Sequence, residues 1–311
     1  MKCSWRWHYP RVVRPVMHSF LAMICTIIRS NTQAYRPSPL FLNDSEPMKI
    51  LSLRDHPDLQ HTAIGNETRF RFHCHPEVSC FGQCCHNLRL LLYPYDVLRL
   101  KQRLKMDSEA FLDRHTISQV YPDDPFPEVL LRMKEEAGDP CPFLTTEGCS
   151  VYEDRPDTCR MFPLDRGLEF DDRGRSRLRY FLRPPAFCRG IDTERSWNID
   201  EWIMDQKADL HAEMTEKWAA VRMLFHQWGD AGVSGRGARE KEIVRMAFMA
   251  AYNIDAFRNF VFESTFLKRF HIPSSLLRRS KTDDVSLLRI GMAWIRWLLT
   301  GVGSPDLRYK R

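Results

Sequence analysis

The clearest apolar pattern lies in the last third of the chain, where apolar and aromatic residues recur every three or four positions. This spacing places them on one face of a helix and predicts amphipathic helices. One long helix is predicted over 202–228, and further helices over 243–260 and 285–299. The last of these contains Arg289 and Arg296, so we expect it to pack in a core rather than cross a membrane.

Two shorter helices are predicted in the middle third. An apolar run ends at Pro94, which suits the first position of a helix, and Asp96 follows near its positive end. Asp107 is a good N-cap for a second helix that runs through 108–112.

Strand signals are short and few. Apolar and polar residues alternate over 69–74, and the segments 168–170 and 178–182 flank a turn and predict a hairpin. Residues 121–127 contain three prolines and two aspartates, which predicts a turn-rich connection. The expected fold class is therefore α-rich, α+β with minor β structure: a cysteine-cluster domain with short strands or a hairpin, followed by a helical domain.

The chain divides into three predicted segments: a leader at 1–47, a cysteine-cluster domain at 48–194 and a helical domain at 195–311. The leader contains an uncharged run at 16–28 that is too short to span a bilayer. It is explained either by an export signal within 1–34 or by translation assigned too far upstream. We favour the second explanation, which predicts a cytoplasmic protein.

Composition and charge exclude some classes of protein. A charged share of 28% and an aromatic share of 12% are not those of a disordered or fibrous polymer. The net charge is +6, but the leader carries +4 of it, so the remaining 264 residues carry only +2. We therefore expect no nucleic-acid partner and no membrane span; a protein partner or substrate stays unidentified.

Cysteines are the most informative residues of the chain. Two of the ten, Cys3 and Cys25, lie in the leader. The other eight form two sequence groups of four in loops rich in proline and glycine: Cys74, Cys80, Cys84 and Cys85, then Cys141, Cys149, Cys159 and Cys188. Thiolate sulfur is a soft ligand for zinc or iron–sulfur clusters, and eight sulfurs match two four-thiolate sites.

The adjacent Cys84 and Cys85 constrain the kind of centre. Sulfur atoms on one zinc lie about 4 Å apart, because each Zn–S bond is about 2.3 Å. Successive side chains of an extended strand point to opposite faces, so adjacent cysteines suit two neighbouring centres or a cluster wider than one atom. We expect one or two centres, and a 4Fe–4S iron–sulfur cluster rather than zinc.

Other roles for these residues stay open. The cysteines could instead form disulfides in an exported protein, and one could be a catalytic nucleophile. His73, His75 and His86 could replace thiolates as ligands, or they could be surface residues or hydrogen-bond donors to ligands.

Four motifs carry a resemblance to a known family: Phe-Gly-Gln-Cys-Cys at 81–85, Cys-Pro-Phe-Leu at 141–144, Gly-Cys-Ser-Val-Tyr-Glu-Asp-Arg-Pro at 148–156 and Thr-Cys-Arg-Met-Phe-Pro at 158–163. They resemble the YkgJ-type cysteine-cluster family, a zinc- or iron-chelating domain with a C-x2-C-x2-CC motif. The resemblance implies that the eight cysteines from Cys74 to Cys188 are ligand candidates. Here the early motif is C-x5-C-x3-CC.

The resemblance leaves the biological role open. It implies a metal-binding protein, and it also offers a metal-containing protein-modifying enzyme related to flagellin lysine-N-methylase. Tyr152, Arg155, Pro156 and Arg160 lie within its motifs. The two arginines could offset the thiolate charge. Alternatively, Arg155 could pair with Glu153 or Asp157 at the surface.

Overall fold

The computed structural model describes residues 51–52, 63–121, 124–170, 176–230 and 237–310. The predicted leader, with Cys3 and Cys25, lies outside these residues. The helices in the described ranges are α1 (Pro94–Arg103), α2 (Ser108–His115), α3 (Asp157–Met161), α4 (Ile199–Asp205), α5 (Asp209–Asp230), α6 (Ala238–Tyr252), α7 (Ile254–Glu263), α8 (Phe266–Arg269), α9 (Ser274–Arg279) and α10 (Asp284–Thr300).

The strands are short, and most pair two by two. They are β1 (Leu51–Ser52), β2 (Phe70–Arg71), β3 (Thr116–Tyr121), β4 (Asp124–Leu131), β5 (Leu144–Thr145), β6 (Gly148–Cys149), β7 (Leu164–Phe170), β8 (Ser176–Leu182), β9 (Ser196–Trp197), β10 (Phe270–His271) and β11 (Arg308–Tyr309). One three-stranded sheet has the order β1-β7-β8, and the other pairs are β2-β9, β3-β4, β5-β6 and β10-β11. The α-rich class with minor β structure is confirmed.

The helix-start signals were read correctly. α1 begins at Pro94, and the Asp96 carboxylate accepts the Tyr93 N–H at 2.9 Å. The Asp107 carboxylate accepts the Ala110 N–H at 2.7 Å at the start of α2. Both hydrogen bonds join residues three positions apart, so the sequence alone can predict them.

Two predicted helices are each divided in the structure. The helix expected over 202–228 is α4 and α5, separated where Lys207 adopts a left-handed backbone with φ of 50°. The helix expected over 243–260 is α6 and α7, and the Asn253 side chain between them accepts the Ala256 N–H at 3.2 Å. The helix expected over 285–299 is α10 and is confirmed.

The predicted hairpin is confirmed, whereas a second hairpin was missed. β7 and β8 are antiparallel, and the turn at 171–175 lies outside the described residues. The expected connection at 121–127 is wrong in part, because β3 and β4 pair from Thr116 opposite Leu131 to Tyr121 opposite Asp124. Prolines 125 and 127 suggested a turn, but the apolar side chains of β4, such as Phe126, are buried.

Two hydrophobic cores organise these elements. The first packs α1, α2 and β4 against α5, α6, α7 and α10. The Phe126 ring centroid lies 4.6 Å from that of Phe225 and 5.4 Å from that of Trp218. The second core joins β2 to α4, where Phe70 and Trp202 have ring centroids 6.0 Å apart. A fully buried side chain of this size contributes about 1.5–3 kcal/mol.

The boundary predicted at 194/195 stays a prediction. Residues on both sides of it contribute to both cores. No helix within the described ranges has the length and apolar character that crossing a membrane requires.

One buried carboxylate of the β7-β8 hairpin predicts a pH dependence of stability. Burial raises the pKa of Asp165 to about 6, and Arg183, 3.6 Å away, opposes the shift. This pKa exceeds the unfolded value of about 3.9, so the contribution of Asp165 to stability is complete below about pH 4 and is lost as pH rises through about 6. We expect Asp165→Asn to raise the free energy of unfolding at neutral pH by roughly 2 kcal/mol. Urea unfolding at acid and neutral pH measures this.

Asp113→Asn is the matched control, because Asp113 is an exposed residue of α2. It should leave the loss of stability between about pH 4 and about pH 6 in place. If Asp165→Asn shows the same pH slope as the wild-type chain, the assignment of that slope to Asp165 is wrong.

Candidate metal centre

A tight turn brings three of the cysteines together. The Gln83 N–H donates to the Cys80 carbonyl, and the Cys85 N–H donates to the Gly82 carbonyl, both at 3.0 Å. Gly82 has a φ of 78°, a left-handed conformation that glycine adopts without steric cost. One turn of 3-10 helix then carries Cys84 and Cys85.

The loop around Cys188 joins this turn from far along the chain. The Arg189 N–H donates to the Cys80 sulfur at 3.1 Å. The Gly190 carbonyl accepts the His73 N–H at 2.8 Å. Two segments that are distant in sequence are thus held together by backbone contacts beside the thiols.

Cys141 connects the segment of the later cysteines to the same turn. The Cys141 N–H donates to the Cys85 carbonyl at 2.8 Å. Cys141 leads into the β5-β6 hairpin, in which Leu144 lies opposite Cys149. Cys159 lies on α3, a helix of only five residues.

Backbone N–H groups point at several of the sulfur atoms. Burial raises the pKa of Cys141, Cys149 and Cys188, and N–H groups two or three residues further along oppose this by donating to the sulfur. The Cys141 sulfur accepts from the Phe143 and Leu144 N–H groups, the Cys149 sulfur from the Val151 N–H, and the Cys188 sulfur from the Gly190 and Ile191 N–H groups. Such hydrogen bonds stabilise thiolates and tune the centres that they bind.

Electrostatic contacts define a first thiol group, made of Cys74, Cys80, Cys84 and Cys188. The pKa of Cys74 is raised to about 11, first by partial burial and then by the negative charges of Cys84, Cys80 and Cys188. The pKa of Cys188 is also raised, first by burial and then by Cys80 and Cys84. Cys80 and Cys84 thus act on both Cys74 and Cys188, which places these four thiols near one another.

A second thiol group contains Cys85, Cys141, Cys149 and Cys159. The pKa of Cys85 is raised by its hydrogen bond with Cys84, by burial, and by the charges of Cys84, Cys159 and Cys141. The pKa of Cys159 is raised first by burial, and then by Cys141 and Cys149. The second group also shares a hydrophobic environment, since all four members belong to the first core or pack against it.

Cys84 and Cys85 lie where the two groups meet. The Cys85 thiol donates a hydrogen bond to the Cys84 sulfur, which lowers the pKa of Cys84 to about 7. Its charge also raises the pKa of Cys149, which places it next to both groups.

The grouping in space differs from the grouping in sequence. Cys85 lies with the later cysteines and Cys188 with the earlier ones, so each group contains one member that the spacing assigned to the other. Only the approach of the Cys188 loop to Cys80 and of Cys141 to Cys85 reveals this.

The thiols are near one another but are not gathered as tightly as ligands of one ion. All eight described cysteines are free thiols. Among the residues that the structure describes, no three or more histidine, cysteine, aspartate or glutamate side chains form a ready-made site for a metal ion.

The three histidines have partners of other kinds. His73 and His75 pack together with ring centroids 4.7 Å apart, and His75 lies 3.9 Å from the Glu77 carboxylate. The His86 Nδ1 lies 3.0 Å from the Gly82 carbonyl oxygen. Their role as substitute ligands stays a prediction.

The arginines beside the second thiol group are buried, so the expectation of a surface ion pair for Arg155 is wrong. Arg155 donates to the Tyr152 carbonyl at 2.5 Å and to the Gln206 side chain, and its positive charge lowers the pKa of Cys149 against the effect of burial. Arg160 donates to the Gln206 and Glu153 carbonyls, each at 2.6 Å.

A buried polar cluster beside Cys159 has no signal in the sequence. We call Asp96, Asp157, Arg166, His211 and Thr215 the Asp157 cluster; all five are buried. Asp96 reaches the second thiol group, because its charge raises the pKa of Cys159 beyond the effects of burial and the neighbouring thiols. An aspartate in the first turn of a helix is typical of an exposed capping residue, so the sequence carried no signal for this role.

Eight thiols brought together from distant loops define a cysteine-cluster protein. Residues 73–189, which include all eight, match the family CxxCxxCC, described as "Putative zinc- or iron-chelating domain". This segment is therefore similar to the CxxCxxCC family, and the resemblance predicted from the sequence motifs is confirmed there. The match covers little more than a third of the chain. No curated protein and no solved structure matches it.

Proposed function

We propose that the matched segment binds metal through its eight cysteines at two neighbouring four-thiolate centres. The first thiol group would hold one centre and the second thiol group the other. The observation that carries this proposal is the convergence of distant loops on one turn, where the Arg189 N–H donates to the Cys80 sulfur and the Cys141 N–H donates to the Cys85 carbonyl. The division between Cys84 and Cys85 gives each centre four sulfur donors.

The donor chemistry of the site fits zinc and iron. Thiolates are soft ligands that suit both metals, and a buried thiol must lose its proton before it binds. The chain assists this loss where backbone N–H groups donate to Cys141, Cys149 and Cys188. The charge of Arg155 acts in the same direction on Cys149. Thiolate binding also requires a reducing compartment, so a cytoplasmic location belongs to this proposal.

Iron–sulfur clusters are favoured over single zinc ions. A single zinc requires sulfur atoms about 4 Å apart. Cys84 and Cys85 are adjacent in the chain and belong to different thiol groups, which suits two neighbouring centres or the wider body of a 4Fe–4S cluster. When bound, a centre of this kind supplies a cross-link between loops and can carry an electron.

Metal and sulfide analysis of anaerobically purified protein tests this proposal. We expect iron and acid-labile sulfide together with broad visible absorbance. Cys188→Ser and Cys149→Ser should each remove about half of the iron, because they belong to different thiol groups, and the double variant should remove nearly all of it.

Cys25→Ser is the control, since Cys25 lies outside the matched residues and should not affect metal content. Colourless protein that contains stoichiometric zinc would show that the centres hold zinc and not an iron–sulfur cluster. If either single variant loses all metal while the other loses none, the division into two centres is wrong. Full metal content in the double variant contradicts the proposed ligands.

A further inference from the structure

The helix that carries Cys159 cannot hold its own position. α3 has five residues, and isolated helices shorter than about 12 residues are marginal in water. The place of the Cys159 sulfur is therefore set by what holds the ends of α3.

The first residue of α3 is fixed from three directions. The Asp157 N–H donates to the Asp96 carboxylate of α1 at 2.8 Å. The Asp157 carboxylate accepts the Thr215 hydroxyl of α5 at 3.0 Å and pairs with Arg166 of β7. Asp157 is only 2% exposed, so these contacts are shielded from water. Buried charge-assisted hydrogen bonds of this kind are strong and directional.

The partner carboxylate is itself fixed. Asp96 is 1% exposed and accepts the Tyr93 N–H with its second oxygen. The His211 Nδ1 of α5 lies 3.6 Å from the first oxygen. α5 therefore contacts both carboxylates of the Asp157 cluster.

Arg160, the residue after Cys159, also contacts a residue outside the matched segment. Arg160 donates to the carbonyl of Gln206, which ends α4. Gln206, His211 and Thr215 all follow residue 189, where the family match ends. The helical region thus contacts α3 on both sides of the ligand candidate.

We propose that Thr215 positions Cys159 for metal binding through Asp157. The helical region then supports the second centre structurally, although it lies outside the matched segment. This inference rests on the proposed function, because it assigns a role toward the same centre. It concerns only the second thiol group, so the first centre should be unaffected.

Cobalt titration of the anaerobically prepared apo-chain tests the inference. Thr215→Val keeps the shape of the side chain and removes the hydroxyl. We expect it to weaken cobalt binding at the second centre about 10-fold or more, as loss of a group that orients a ligand does. The sulfur-to-cobalt absorption of that centre should change, while that of the first centre should not. Thr215→Ser, which keeps the hydroxyl, should restore both.

Asp255→Asn is the matched control for a general loss of stability. The Asp255 carboxylate is held by Lys101 at 2.8 Å and by Ser108 at 2.7 Å, in a network that includes none of the cysteines. It should lower the stability of the fold without changing the cobalt spectrum. Measuring thermal unfolding of each variant compares the two effects directly.

The failures of the two proposals are distinguishable. If the wild-type chain binds no metal, the proposed function and this inference both fail. If the wild-type chain binds metal and Thr215→Val binds it equally well with an unchanged spectrum, only the positioning role is overturned. Equal loss of affinity in Asp255→Asn also overturns it, because the effect would then be general destabilisation.

Discussion

Replacing Cys159 by serine is expected to remove the metal of the second centre and to lower the free energy of unfolding by more than about 4 kcal/mol. Binding energy at a structural centre is folding energy, and in small zinc-binding peptides it amounts to about 10–16 kcal/mol. Cys159 also packs against the first core, so loss of its metal bond loosens the contact of α3 with that core. Metal analysis and denaturant unfolding of the same sample measure both effects.

Cys84→Ser should show the same pattern at the first centre, with an additional effect on the second. Cys84 is hydrogen-bonded to Cys85, and this hydrogen bond favours the protonated form of the Cys85 thiol. Replacing Cys84 removes the bond and so also affects Cys85, which belongs to the second thiol group. Cys25→Ser is again the matched control. Full metal content in both Cys84→Ser and Cys159→Ser would overturn the assignment of ligands, whatever the change in stability.

Gly291→Ala is expected to lower the free energy of unfolding by about 3 kcal/mol, at the upper end of what overpacking costs. A Cβ at this position would lie 2.4 Å from the Ala250 carbonyl oxygen, where α10 crosses α6. That oxygen belongs to the backbone of a buried helix, so it cannot move without separating the two helices. We expect this loss of stability even though alanine favours helix formation by about 1 kcal/mol over glycine.

Gly65→Ala is the control for Gly291→Ala, because no atom lies within 4 Å of a Cβ built there. Denaturant unfolding should give a stability close to that of the wild-type chain for Gly65→Ala and a clearly lower midpoint for Gly291→Ala. If Gly291→Ala is as stable as the wild-type chain, the close approach of α6 and α10 is wrong. Metal content should be normal in both variants, since neither site contacts a thiol group.

Parts of the fold that depend on local sequence could be predicted. Pro94 and Asp107 mark helix starts through contacts with residues a few positions away, and the apolar period of α10 is set by one buried face. The break at Lys207 could not be predicted, because no glycine or proline marks it. There the chain turns so that Gln206 can accept from Arg160, which is a tertiary contact.

The candidate site shows the same limit. The eight cysteines stand out in the sequence by residue type and spacing, and all of them lie in the matched domain. Their division into thiol groups depends on loop contacts such as that of Arg189 with Cys80. The role inferred for Thr215 depends on the packing of α5 against α3. Neither contact has a signal in local sequence, because the partners are far apart along the chain.

X-ray absorption at the metal edge of the anaerobically purified protein tests the central claim most directly, since it reports the atoms bound to the metal. Two four-thiolate centres predict a first coordination shell made only of sulfur, at about 2.3 Å, and loss of part of that metal in Cys149→Ser. An iron–iron distance in the same spectrum would identify a cluster. A shell dominated by nitrogen or oxygen, or protein that carries no metal, would contradict the account.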